Sequence, residues 1–194
     1  MRRRLYDSAD AAARTEAEQA AVRLETHLQA GGRLDSVPAP MLALDADESA
    51  YADVVCATAR FYGTEVVYPR APAGYFEDHP AFGRRWVPNH RLEARRRQQA
   101  EADAEERWRD HSQARVVLTS SGLRISPAGS PGTWLPFDHV LLTGITTAVD
   151  RRELVLSYSV CAPLLVVGPA APWLGVAVRH LEIINGGGSR LGDG

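Results

Sequence analysis

Six histidines, two cysteines and the triplet Glu77-Asp78-His79 are the side chains of this 194-residue chain best suited to chemistry. An imidazole can move protons near neutral pH or hold a metal ion, and paired carboxylates can do general acid–base work. The histidines are His27, His79, His90, His111, His139 and His180. None lies two to four residues from another, so no local chelate is formed. They are read as surface or helix-end residues. Cys56 and Cys161 lie in no CxxC pair and no Cys/His cluster, which argues against a metal site and for two reduced thiols in apolar strands. Glu77-Asp78-His79 is read as a solvated loop, and an enzyme using it is one alternative to a non-enzymatic function. Ser120-Ser121-Gly122 is turn chemistry, and no G-x-S-x-G is present. A phosphate loop of the G-x-x-x-x-G-K-[ST] type needs lysine, and all 22 basic residues here are arginine. An arginine-only composition fits a high-GC genome. No catalytic residue, metal or cofactor is assigned.

The strongest charge pattern lies between residues 84 and 111. Arg84, Arg85, Arg91, Arg95, Arg96 and Arg97 come first, and Glu101, Asp103, Glu105 and Glu106 follow. Residues 89–111 hold no Gly, Pro or β-branched residue, so a long solvated helix is expected there. Its charge order opposes the helix macrodipole, with local relief from Glu93–Arg97 and Asp103–Arg107 at i,i+4. Three readings compete: a plain solvated helix, two copies paired antiparallel, or phosphate binding by the arginine half. The acidic half would repel a polyanion, which ranks nucleic acid last. Trp86, Arg91, Arg95, Arg96, Arg97, Glu101, Glu105 and Trp108 are the candidate partner-binding residues, because arginine and aromatics suit a protein interface. The partner is an unidentified protein, with a homodimer as one form.

The net charge of −2 implies no general affinity for nucleic acid or anionic membrane. Met1-Arg2-Arg3-Arg4 starts like a signal peptide, but no apolar core follows, and no run reaches the roughly 18 apolar residues of a bilayer span. A cytoplasmic location is expected, without integral membrane association.

The elements that would position these residues follow from periodicity and punctuation. Residues 8–30 read as a helix with a weak stripe of Ala17, Ala20, Ala21, Leu24 and Leu28, stopped by Gly31-Gly32. It lies on the domain or on a partner. Residues 33–49 read as a linker. Strands are expected at 51–62 and 65–68, an irregular stretch through Pro88, then strands at 116–119, 123–125, 140–149, 153–160 and 164–167. Ala170, Trp173, Leu174, Ala177, Val178, Leu181 and Ile184 recur at helical spacing and mark a closing amphipathic helix. The tail 185–194 reads as flexible.

Residues 115–184 resemble a bacterial pleckstrin-homology-like (PH-like) or GRAM-like domain. The resemblance rests on Val116-Val117-Leu118-Thr119-Ser120-Ser121-Gly122-Leu123-Arg124-Ile125, then Trp134-Leu135-Pro136-Phe137-Asp138-His139-Val140. It continues through Leu154-Val155-Leu156-Ser157-Tyr158, Pro163-Leu164-Leu165-Val166 and the closing helix. The chain is also similar, over roughly residues 41–184, to an uncharacterised actinobacterial family. In that family a charged helix ending in Trp-Arg, here Arg107-Trp108-Arg109, precedes such a hairpin. The resemblance implies an α+β fold, with a curved antiparallel sheet or split barrel capped by a C-terminal helix, and no shared catalytic residues. The expected organisation is an N-terminal helix at 1–32, a PH-like domain at 41–184 with a helical insertion at about 84–111, and the tail. Lipid-headgroup binding would need clustered cations at the early strand turn, where Phe61-Tyr62-Gly63-Thr64 has only Arg60 beside it. The expected function is a non-enzymatic interaction or scaffolding module, with a small-molecule or lipid-binding barrel as the other alternative.

Overall fold

The computed structural model describes residues 2–130 and 132–187. The fold is α+β, with a seven-stranded antiparallel sheet, a separate two-stranded sheet and three α-helices among the described residues. The elements are α1 (Arg2–Gln29), β1 (Ala50–Tyr62), β2 (Gly74–His79), β3 (Gly83–Pro88), α2 (His90–Ala104), β4 (Arg107–Thr119), β5 (Gly122–Pro127), β6 (Leu135–Asp138), β7 (Leu142–Ala148), β8 (Glu153–Tyr158), β9 (Leu164–Val167) and α3 (Ala171–Gly187). The chain divides into two compact units, one of residues 1–60 and 109–194, the other of residues 61–108.

The first unit carries the large sheet, in the order β6-β5-β4-β1-β9-β8-β7. Alternation writes its core. In β8, Leu154, Leu156 and Tyr158 point inward and their neighbours do not, as the period of two requires. Val116 opposes Ile125 and Leu118 opposes Leu123 across the β4–β5 hairpin. These side chains share one core with Leu174, Ala177, Val178 and Leu181 of α3. Burying each large aliphatic contributes about 1.5–3 kcal/mol. The closing helix is therefore found where its stripe places it, except that Ile184 is 56 % exposed. Helix α1 packs on α3, with Ala17 and Ala21 buried one turn apart. Gly31 ends the helix in the left-handed region at φ 84°, which glycine enters without a Cβ penalty.

In the second unit several expectations are corrected. The strand expected at 65–68 does not form. The stretch expected to be irregular through Pro88 holds the β2–β3 hairpin, with Phe76 opposite Trp86 and Glu77 opposite Arg85. Glu77-Asp78-His79 is the end of a strand, not a loop. The helix expected over 89–111 ends at Ala104, and strand β4 begins at Arg107. Arg84, Arg85 and Trp86 are on β3, and Trp108 is on β4. Helix formers alone did not decide 107–111, because the long strand β4, paired with β5 further on, takes them. In the first unit the strand expected from Val140 starts at Leu142, after a single 3₁₀ turn at His139–Leu141. The expected tail begins inside α3, which runs to Gly187; residues 188–194 lie outside those described.

Helix α2 is held at both ends by its own unit. Asn89 caps it, its Oδ1 accepting from Leu92 N at 2.9 Å. Ala73 binds the first turn twice: its carbonyl accepts from Asn89 N at 2.8 Å, and its N–H donates to Glu93 Oε2 at 2.8 Å. At the far end Thr64 N donates to the carbonyl of Ala104 at 3.0 Å.

Candidate functional site

The eight residues singled out from sequence all fall within residues 61–108, seven of them on β3, α2 and β4 and Glu105 just past the end of α2. Trp86 stands on β3 beside Phe76, ring centroids 5.1 Å apart in an edge-to-face pair. Arg84 lies over the other part of this cluster, its guanidinium carbon 4.4 Å from the Phe76 centroid. Offset or edge-on aromatic pairs and cation–π contacts each add about 0.5–1.5 kcal/mol. Phe76 and Trp86 nevertheless remain 57 % and 42 % exposed, and Phe82 in the hairpin turn is 78 % exposed. A two-stranded hairpin is marginal on its own, and these aromatics stay partly in water on it.

Helix α2 holds Arg91, Arg95, Arg96, Arg97 and Glu101, all exposed, and has no buried residue. Arg97 reaches Glu93 at 3.8 Å, and Arg107 reaches Asp103 at 3.9 Å. Both pairs expected from sequence form, although the second joins the helix to the start of β4. Glu101 accepts from the Tyr68 hydroxyl at 3.2 Å, and this carboxylate beside it pushes the phenol's pKa up. Glu105 is the residue that ends α2. Trp108 is half-buried against Phe61 at 5.2 Å, so it anchors the base of this unit and is not a free contact. Glu77 is held by Arg85 through Nε at 3.0 Å and Nη2 at 2.8 Å.

Sequence reasoning missed a second site, in the first unit. A cleft of about 890 Å³ is lined by residues of four stretches of chain, among them Asp47, Glu48, Arg124, Asp138, His139 and Glu182. Glu48 lay in what reads as a linker, yet its side chain is only 6 % exposed. Arg124 donates to Glu48 Oε1 at 3.2 Å through Nη2 and to Asp138 Oδ1 at 2.8 Å through Nη1. Thr119 Oγ1 lies 2.5 Å from Glu48 Oε1, and Ser121 Oγ donates to the same oxygen. Burial opposes ionisation of Glu48, but the Ser121 and Thr119 hydroxyls and the Arg124 charge outweigh it and hold the carboxyl below its usual value. His139, expected at the surface, is 5 % exposed. Its Nε2 lies 3.2 Å from the Thr119 carbonyl, which can only accept, so Nε2 carries the proton. Nδ1 is then a bare acceptor, and it has no hydrogen-bond partner among the described residues. Burial lowers the pKa of this imidazole, and the Arg124 charge works in the same direction. The signal that could have found the site is the Glu48…Arg124…Asp138 set, but its members are 76 and 14 residues apart and nothing local links them.

The cysteines divide. Cys56 is buried, as expected, and burial pushes its thiol pKa up to about 11. Cys161 is exposed, contrary to expectation. Among the described residues no group of His, Cys, Asp and Glu could hold a metal ion, and no helix is long and apolar enough to cross a membrane.

No protein-family model matches the chain, and no curated protein matches it.

Proposed function

We propose that this protein is a non-enzymatic, cytoplasmic interaction module: a PH-like domain whose residues 61–108 present a binding surface to a protein partner. The observation that carries the reading is the half-exposed Phe76–Trp86 pair, set in the same unit as a helix with no buried residue. Interfaces are enriched in aromatics and arginine, and their binding energy concentrates in a few such anchors. The order of strands and the closing helix of the first unit support the PH-like part of the reading. Its core side is filled by Leu118, Leu123, Leu154, Leu156 and Leu174, all fully buried, which favours a scaffold over an apolar ligand barrel.

The test is affinity capture of the tagged protein from its native cytoplasm, nuclease-treated, beside two variants. One carries Phe76→Ser and Trp86→Ser, the other Arg95→Glu, Arg96→Glu and Arg97→Glu. A specific protein lost from either variant, with the circular dichroism unchanged, is the expected result. A captured set identical for all three chains refutes the reading.

A second reading, small-molecule binding, is favoured by one observation, the polar cleft around Glu48, Arg124 and His139. Its size falls within the range of ligand sites, about 300–1,000 Å³. Chemical-shift changes of the His139 imidazole on adding a metabolite mixture would support it, and unchanged shifts would remove it.

A further inference from the structure

Helix α2 turns about 100° per residue, which sorts its side chains into two sides. Leu92, Glu93, Ala100 and Ala104 are partly buried toward their own unit. The opposite side holds Arg91, Ala94, Arg95, Gln98, Glu101 and Ala102, exposed as are Arg96, Arg97, Gln99 and Asp103 elsewhere on the helix, and it continues into Glu105, which ends the helix; Glu101 also accepts from the Tyr68 hydroxyl.

This outer side is a palindrome of charge about Gln98. Arg95 lies three residues before Gln98 and Glu101 three after; Ala94 and Ala102 lie four before and four after; Arg91 and Glu105 lie seven before and seven after. Positions at three, four and seven residues form one face of a helix. A two-fold axis through Gln98 would therefore set Arg95 against Glu101 of a second copy, and Arg91 against Glu105. Ala94 would meet Ala102, two small residues that allow the backbones to approach. The amides of the two Gln98 side chains would meet on the axis, each with a donor and an acceptor to offer. Parallel packing would instead put arginine against arginine.

We propose that the partner of this surface is a second copy of the chain, bound antiparallel along α2 in a two-fold, isologous contact centred on Gln98. The inference rests on the reading of residues 61–108 as a binding surface and names its occupant. It also accounts for the charge order of α2. In the single helix the arginines sit at the positive end of the dipole and the carboxylates at the negative end. In the antiparallel pair each arginine cluster lies beside the partner's negative helix end and its carboxylates.

The experiment is sedimentation equilibrium of the full chain. The wild type is expected to dimerise at about 10 mM salt, where charges act over about 30 Å, and to dissociate at about 1 M, where they act over about 3 Å. Variant A, Arg91→Glu with Arg95→Glu, has an all-acidic outer side. Variant B, Glu101→Arg with Glu105→Arg, has an all-basic one. Each should be monomeric alone at low salt, and an equimolar mixture should form a heterodimer. Unchanged circular dichroism confirms that both variants fold. A monomeric wild type at low salt overturns the proposal, as does a variant A that still dimerises or a mixture that stays monomeric. If the wild type is monomeric while capture recovers another protein through the same residues, only the identity of the partner falls. If capture finds nothing dependent on residues 61–108 and no dimer forms, the underlying reading falls with it.

Discussion

The indole of Trp86 lies across the backbone of Gly74: a β-carbon at position 74 would come within 2.4 Å of Trp86 Cζ2 and 2.5 Å of the Val87 carbonyl oxygen. Gly74 and Pro88 are opposite in the β2–β3 register, so the ring covers the point where the hairpin begins. Glycine is thus required by close approach and not by its dihedral angles.

Gly74→Ala should displace the indole or part the two strands. The cost expected is about 1–3 kcal/mol, as for other overpacked sites, confined to residues 61–108. Amide exchange should rise in β2 and β3 and stay unchanged in β8 and β9. Equal protection in the hairpin of both proteins would contradict the packing described.

Glu48→Ala should destabilise the first unit by about 2–3 kcal/mol. This is less than the 3–5 kcal/mol of a fully buried broken pair, because Asp138 still neutralises Arg124. Urea midpoints at neutral pH measure it. The pH dependence follows from the lowered carboxyl pKa. Glu48 contributes stability above its unfolded value of 4.5, and that contribution is lost as pH falls through the still lower folded value. The difference between wild type and variant should therefore shrink below pH 4.5.

His139 acts in the same direction at a higher pH. Its folded pKa lies below the ordinary value of 6.5, so the unfolded chain takes up the proton first. The stability it contributes is present above pH 6.5 and is lost as pH falls through the folded value. His139→Gln keeps a donor near the Thr119 carbonyl and removes the titration. Subtracting its stability-against-pH curve from that of the wild type should leave a slope between pH 7 and 5; a flat difference would mean that His139 titrates alike in both states.

The thiols should react unequally. Cys161 is exposed, while Cys56 is buried with its pKa raised to about 11, so only Cys161 offers an accessible sulfur near pH 8. An aromatic disulfide reagent should titrate one thiol in the native protein and both in urea. Two fast thiols in the native state would refute the burial of Cys56.

The α+β order of the first unit was legible because its cues are local. The alternation at Leu154-Val155-Leu156 and the stripe from Leu174 to Leu181 each lie within one element. The turn Ser120-Ser121-Gly122 punctuates its hairpin without ambiguity. The β2–β3 hairpin was not legible: the stretch through Pro88 reads as irregular, and its aromatics have few apolar neighbours to fix a period. The end of α2 was misplaced because Arg107-Trp108-Arg109 suits a helix by propensity and became strand through non-local pairing. For the same reason Glu48 read as linker and His139 as surface. Burial of a polar side chain depends on partners far away in sequence, and composition is silent about those. The palindrome about Gln98 is present in the sequence, but only the three-, four- and seven-residue spacing of a helix separates it from the intervening residues.

The ends of the second unit have a consequence for how the chain can be rebuilt. Phe61 and Trp108 touch at 5.2 Å, and they belong to β1 and β4, which are neighbours in the large sheet. The polypeptide thus departs and returns through one narrow doorway. Segments with adjoining ends are the ones that tolerate excision and transplantation. Replacing the residues between Tyr62 and Arg107 with a tight turn would convert β1 and β4 into an ordinary hairpin, and the removed piece could be grafted into any other hairpin of matching spacing. Residues 63–106 are, in that sense, a detachable cassette.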